Sequence, residues 1–70
     1  MSNLKTITEV LTAIRNTLMF GGKTTNGKEG VINCLCMNDL FLANGHIKKD
    51  IHRQVQKVYE GYLKTIHYKN

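Results

Sequence analysis

The chain has 70 residues, of which 41% are hydrophobic, and ten lysines and arginines against five acidic residues give it a formal net charge of +5. A chain of this size makes a single domain, here residues 1 to 70, whose core supplies only about 3–5 kcal/mol unless a partner subunit, metal or disulfide adds to it, so self-association is an open expectation. No window approaches the roughly 18 unbroken apolar residues of a membrane span, and the first twenty residues lack the apolar run and cleavage site of a signal peptide, so a cytoplasmic setting and no membrane contact are expected.

The first periodic segment carries Leu4, Ile7, Leu11, Ile14 and Leu18 at spacings of three or four, with Val10 widening the stripe. This is the pattern of a half-buried helix. Ser2 or Asn3 offers an N-cap, and Thr6-Ile7-Thr8-Glu9 offers a capping box one turn later. The helix is expected to stop near Phe20, where Gly21 and Gly22 follow, and Lys23 to Glu29 reads as a mobile loop.

That loop contains Gly22-Lys23-Thr24, the closing residues of a phosphate-binding P-loop. The motif also needs a glycine five positions earlier, between a strand and a helix, and Thr17 fills that slot inside the first helix. No nucleotide site or other cofactor is expected, and the glycines are read as a reversal of chain direction.

The second segment, Gly30 to Ala43, is read as a helix, with a short strand over residues 31–37 as the alternative. On a helical wheel Asn33, Asn38 and Asp39 scatter widely, so apolar groups face nearly all round, as in a central helix packed on both sides. Asn44-Gly45 ends it.

The third segment, about Ile47 to His67, places Ile47, Ile51, Val55, Val58, Tyr62 and Ile66 within an arc of about 100°, with Tyr59 on its border. Lys49, Arg53, Lys57 and Lys64 gather on the far side, between roughly 200° and 280°, interrupted by Glu60. The positive charge belongs to this third of the chain: residues 46–70 hold six basic and two acidic side chains, against four and three in residues 1–45. Gly61 lies inside the helix and implies close packing, a bend or a tolerated weakness.

Cys34, Cys36, His46, His52 and His67 are the residue types that bind zinc, but cysteines two apart on a helix point about 200° from each other and cannot share an ion. A disulfide at that spacing would be strained, so two free thiols and no metal are expected. The acidic residues are scattered, no nucleophile–base spacing suggests itself, and no enzymatic role is expected.

The basic face has functional content. It suits phosphates or an acidic protein surface. A helix-turn-helix with Gly45 in the turn would need a small residue at Phe41 and an apolar one at Gln54, so base-specific reading is not expected, whereas non-specific nucleic-acid contact is. Met19, Phe20, Met37, Phe41, Leu42, Tyr59, Tyr62 and Tyr68 are too many large side chains for one small interior, and some should form a partner patch.

An amphipathic helix, a Gly-rich loop and an apolar Cys-containing helix closing on Asn44-Gly45-His46-Ile47 before a charged helix resemble, as a pattern, small phage-encoded early or accessory proteins. The resemblance implies a non-enzymatic protein that binds and blocks a host or defence protein. The expectation is therefore a mostly α, compact three-helix domain, monomeric or a homo-dimer. It would bind a partner with an acidic surface through Lys49, Arg53, Lys57, Tyr59, Tyr62 and Lys64, with nucleic acid as the alternative partner.

Overall fold

The computed structural model describes residues 4–69, with side chains as far as Ile66. Three helices follow one another: α1, Ile7–Phe20; α2, Gly27–Ala43; and α3, Lys49–Lys69. Among the described residues there is no strand, so residues 31–37 are helical. The Ser2 and Asn3 caps and the side chains of His67 and Tyr68 lie outside the described residues.

The helix ends follow from local chemistry. Thr6 caps α1: the Glu9 N–H donates to Thr6 Oγ1 at 3.1 Å, and Glu9 Oε1 accepts from the N–H groups of Thr6 at 3.0 Å and Lys5 at 2.9 Å. Those backbone donors, Lys5 first, hold the Glu9 carboxyl below its ordinary value. At the other end Gly22, with φ +77°, turns the chain while its N–H reaches the Met19 carbonyl and the Lys23 N–H reaches that of Leu18. Gly45, with φ +79°, closes α2 in the same way, Gly45 donating to Leu42 and His46 to Phe41. Both are Schellman closures, which need a residue at ease in the left-handed region.

The second helix begins three residues before the expected Gly30, and the loop ahead of it is correspondingly short. Asn33 Nδ2 donates to the Thr24 carbonyl at 3.1 Å and the Asn26 N–H to Thr24 Oγ1 at 3.2 Å, which tie the loop to α2. Gly30 permits this approach: a Cβ there would lie 2.2 Å from the Thr25 carbonyl carbon. The third helix starts two residues after Ile47, which is buried in the turn ahead of it.

The core joins Val10, Ile14 and Leu18 of α1 to Val31, Cys34 and Phe41 of α2 and Val55 and Tyr59 of α3. Helix α2 touches both neighbours, most extensively α3. Both cover the same side of it, however, and the expected packing on two sides is met on one: Ile32, Cys36 and Leu40 stand exposed on the other. The polar residue on the buried side is Asn38, which is 0% exposed and donates from Nδ2 to the His52 carbonyl at 3.0 Å. His52 Nε2 and Asp39 Oδ1 pair at 2.7 Å beside it. These two contacts fix how α3 sits on α2.

Candidate partner-binding face on the third helix

Lys49, Arg53 and Lys57 recur at every fourth position of α3, which stacks them on one face. They line a single shallow groove with His52, Gln56 and Glu60 of the same helix and Leu42 of α2. Lys64 is exposed further along, two turns beyond Lys57. The groove is therefore a basic wall with an apolar residue contributed by the neighbouring helix.

Among the described residues its lysines and arginine are not ion-paired. Among the described residues the one ion pair is His52 with Asp39, and no carboxylate lies within 4.0 Å of a lysine or arginine. Glu60, which interrupts the basic face in sequence, accepts from Gln56 Nε2 at 3.2 Å rather than from Lys57 or Lys64. Exposed cations without internal partners keep their field available to an external one.

The two tyrosines occupy other ground. Tyr59 is 4% exposed and belongs to the core, whereas Tyr62 is 53% exposed, the reverse of the order expected from the stripe. The cause is rotation: the buried face of α3 centres nearer Val55 and Tyr59 than Val58 and Tyr62. Tyr62 packs edge-on to Tyr59, with ring centroids 6.2 Å apart, and together they line a recess with Leu11 and Arg15 of α1, Thr25, Val31 and Cys34. The expected single surface of aromatic and basic residues is thus two surfaces, and Tyr59 is not exposed on either.

Inside that recess the Tyr59 hydroxyl is buried without a hydrogen-bond partner. Burial, and then the neighbouring Cys34 thiol, push its ionisation well above the ordinary value of 10.0. Burial likewise raises Cys34, with Tyr59 and the Arg15 guanidinium opposing. A thiol in that state is a packing group, not a nucleophile. Cys36 is exposed on the opposite side of α2, so the two cysteines do not converge, and among the described residues no three metal-ligating side chains gather.

The Gly22-Lys23-Thr24 stretch acts locally. The Gly22 and Lys23 amides are committed to the carbonyls that end α1, and the Thr24 carbonyl and hydroxyl hold the loop. Those two amides are thereby unavailable to a phosphate.

Gln56 of the groove, and Arg15 beside Tyr62, were not singled out by the sequence, which offered Leu42 only among the large side chains of a partner patch and His52 only as a zinc-type side chain. Helical spacing places His52 and Gln56 on the groove side of α3, but the choice of Leu42 depends on the register of α2 against α3. Arg15 depends on how α1 meets the loop. No protein-family model matches the chain, and no curated protein or solved structure matches it either. Among the described residues no helix is long and apolar enough to cross a membrane.

Proposed function

We propose that this is a non-enzymatic protein-binding module, an inhibitor or adaptor that acts by stoichiometric attachment to a partner with an acidic surface. The observation that supports it is the row of Lys49, Arg53 and Lys57 along one groove, extended by Lys64 and, among the described residues, with no carboxylate within 4.0 Å of these cations. Leu42 and Glu60 in the same groove favour a protein over a phosphate backbone, since a protein surface offers apolar and basic groups to meet them and a phosphate backbone repels Glu60. On this reading Arg53 and Lys57 select the partner by charge, while Tyr62 supplies apolar contact at a separate edge. The pattern-level likeness to small phage-encoded proteins supports reading the partner as a host or defence protein in the host cytoplasm.

The second reading, non-specific nucleic-acid binding, is favoured by the same lack of lysine or arginine ion pairs among the described residues. Salt separates the two. If the four cations each met a phosphate, affinity for a mixed-sequence duplex would fall about 150-fold between roughly 50 and 200 mM salt, from a log–log slope of about −3.6. Fluorescence anisotropy of a labelled duplex measures this directly. The protein-binding reading expects no saturable duplex binding at about 150 mM salt, a typical physiological ionic strength; tight binding with that slope, lost in Arg53→Glu/Lys57→Glu, would replace it with the second reading.

A further inference from the structure

The recess beside Tyr62 lies where the three helices meet, between Leu11 and Arg15 of α1, Val31 and Cys34 of α2, and Tyr59 and Tyr62 of α3. It holds about 300 Å³, the lower end of the range of small-molecule sites. It shares no residue with the basic groove, so what it does is independent of the reading of that groove.

Two of its polar groups lack partners. The Tyr59 hydroxyl is buried, in a side chain only 4% exposed, and has no hydrogen-bond partner among the described residues. Beside it is the Cys34 thiol, which is a weak donor and a weak acceptor. The Arg15 guanidinium is exposed at the recess, and among the described residues no carboxylate lies within 4.0 Å of it. Arg15 is near enough to act on both buried groups: burial raises the ionisation of Tyr59 and Cys34, and the Arg15 charge opposes the rise. Buried polar groups in native proteins are satisfied as a rule, so an orphan hydroxyl beside an unpaired cation marks a place where something else bonds them.

We propose that the recess binds a small carboxylate carrying a short apolar group, its oxygens held by the Arg15 guanidinium and the Tyr59 O–H, and its apolar part against Leu11, Val31 and the Tyr62 ring. The chemistry of the lining selects this class. Arg15 presents N–H donors in a planar fork that matches a carboxylate, and it has no acceptor. No side chain of the lining is acidic, so nothing in the recess repels an anion. A cation would be repelled by Arg15, and an uncharged ligand would leave its charge unmatched. The Tyr59 hydroxyl is closed to water, and the ligand reaches it by displacing Tyr62, an exposed ring packed edge-on to Tyr59 with centroids 6.2 Å apart. A hydroxyl that serves a ligand lowers the stability of the chain and adds to its affinity, and that opposition separates a binding role from a packing role.

The probe is phenylacetate, titrated at constant ionic strength into the isotope-labelled chain and followed by amide NMR, with phenylacetamide as its uncharged counterpart. Saturable shifts are expected at Arg15, Cys34, Tyr59 and Tyr62 with a Kd of about 1 mM, the weak affinity of a small ligand in a shallow site. Phenylacetamide should bind at least about tenfold more weakly, as should phenylacetate to Arg15→Gln, which loses a charge-assisted hydrogen bond at an exposed position. Tyr59→Phe should bind phenylacetate about fivefold more weakly, the loss of one hydrogen bond, while its Tm is kept or raised. Acetylated glycyl-leucine with a free carboxylate is the second probe: tighter binding than phenylacetate identifies the end of a peptide chain as the ligand, and weaker binding a free acid. Equal binding of phenylacetamide, a stabilised Tyr59→Phe that binds as tightly as wild type, or shifts that do not saturate would overturn the proposal.

Discussion

Replacing Tyr59 by phenylalanine removes one oxygen from the core and should stabilise the protein. The hydroxyl is buried and has no hydrogen-bond partner, which costs about 1–3 kcal/mol relative to its hydrated state. Its neighbour, the Cys34 thiol, interacts with it weakly and returns part of that cost. The ring remains, so the packing against Cys34 and the edge-on contact with Tyr62 are kept. A net gain of about 1 kcal/mol is expected, which for a domain of this size raises Tm by about 4–8 °C.

The variant also has a pH signature. Tyr59 and Cys34 both have raised ionisation in the folded state, so the stability they contribute is present below their ordinary values of 10.0 and 9.0 and is lost as pH rises beyond them. Wild type should therefore weaken above about pH 9–10, the ordinary range of a thiol and a phenol, and Tyr59→Phe should weaken less. Thermal melts followed by circular dichroism at pH 7 and pH 10 read both effects. A loss of more than about 1 kcal/mol at pH 7 would show that the hydroxyl is well bonded and that this description of the recess is wrong.

Gly30→Ala should be severely destabilising, because a Cβ 2.2 Å from the Thr25 carbonyl carbon meets backbone and cannot be relieved by a side-chain rotation; urea melts should show a loss of about 3 kcal/mol or more, in the range of the largest single-site effects, and near-wild-type stability would mean that the loop does not lie against α2. Gly61→Ala has the opposite sign, since nothing lies within 4 Å of a Cβ there, and chemical denaturation should show a gain of about 1 kcal/mol from helix propensity alone; an unchanged or lowered midpoint would point to a bend that needs glycine. At the α1 capping box, Glu9 is held below its ordinary value of 4.5, so its contribution is present above that pH and is lost as pH falls through the lowered folded value. Amide exchange at the Lys5, Thr6 and Glu9 N–H groups should accelerate in that acid window, and Glu9→Gln should flatten the response.

Much of the fold was written in local pattern. The stripe of α1, the Thr6–Glu9 box and the paired glycines of the two closures each rest on residues within a turn of one another, which is why their ends could be placed. The entry to α2 could not: Gly27 begins the helix with φ +70°, and Gly30 is needed only because Thr25 folds back over it. Asn38 carries the same lesson. A wheel shows it as one polar residue among three scattered ones, and only the pairing of α2 with α3 makes it the buried donor to His52.

The candidate site divides along the same line. The basic row on α3 is a property of one helix and was legible as spacing. The partition of Tyr59 into the core and Tyr62 onto the surface depends on a rotation of α3 of a few tens of degrees, set by Ile14, Cys34 and the rest of the core. Periodicity gives the width of an apolar stripe; which edge of it is covered is a tertiary property.

The most direct test of a protein-binding basic groove is an affinity capture from host lysate, with nuclease present, comparing wild type and Arg53→Glu/Lys57→Glu. Both variants should have the same helical circular dichroism, because these side chains are exposed and make no internal ion pair. The groove account predicts a discrete protein retained by wild type after nuclease treatment and lost by the charge-reversed variant. Recovery of nucleic acid alone without nuclease, or equal retention of the same protein by both variants, would contradict it.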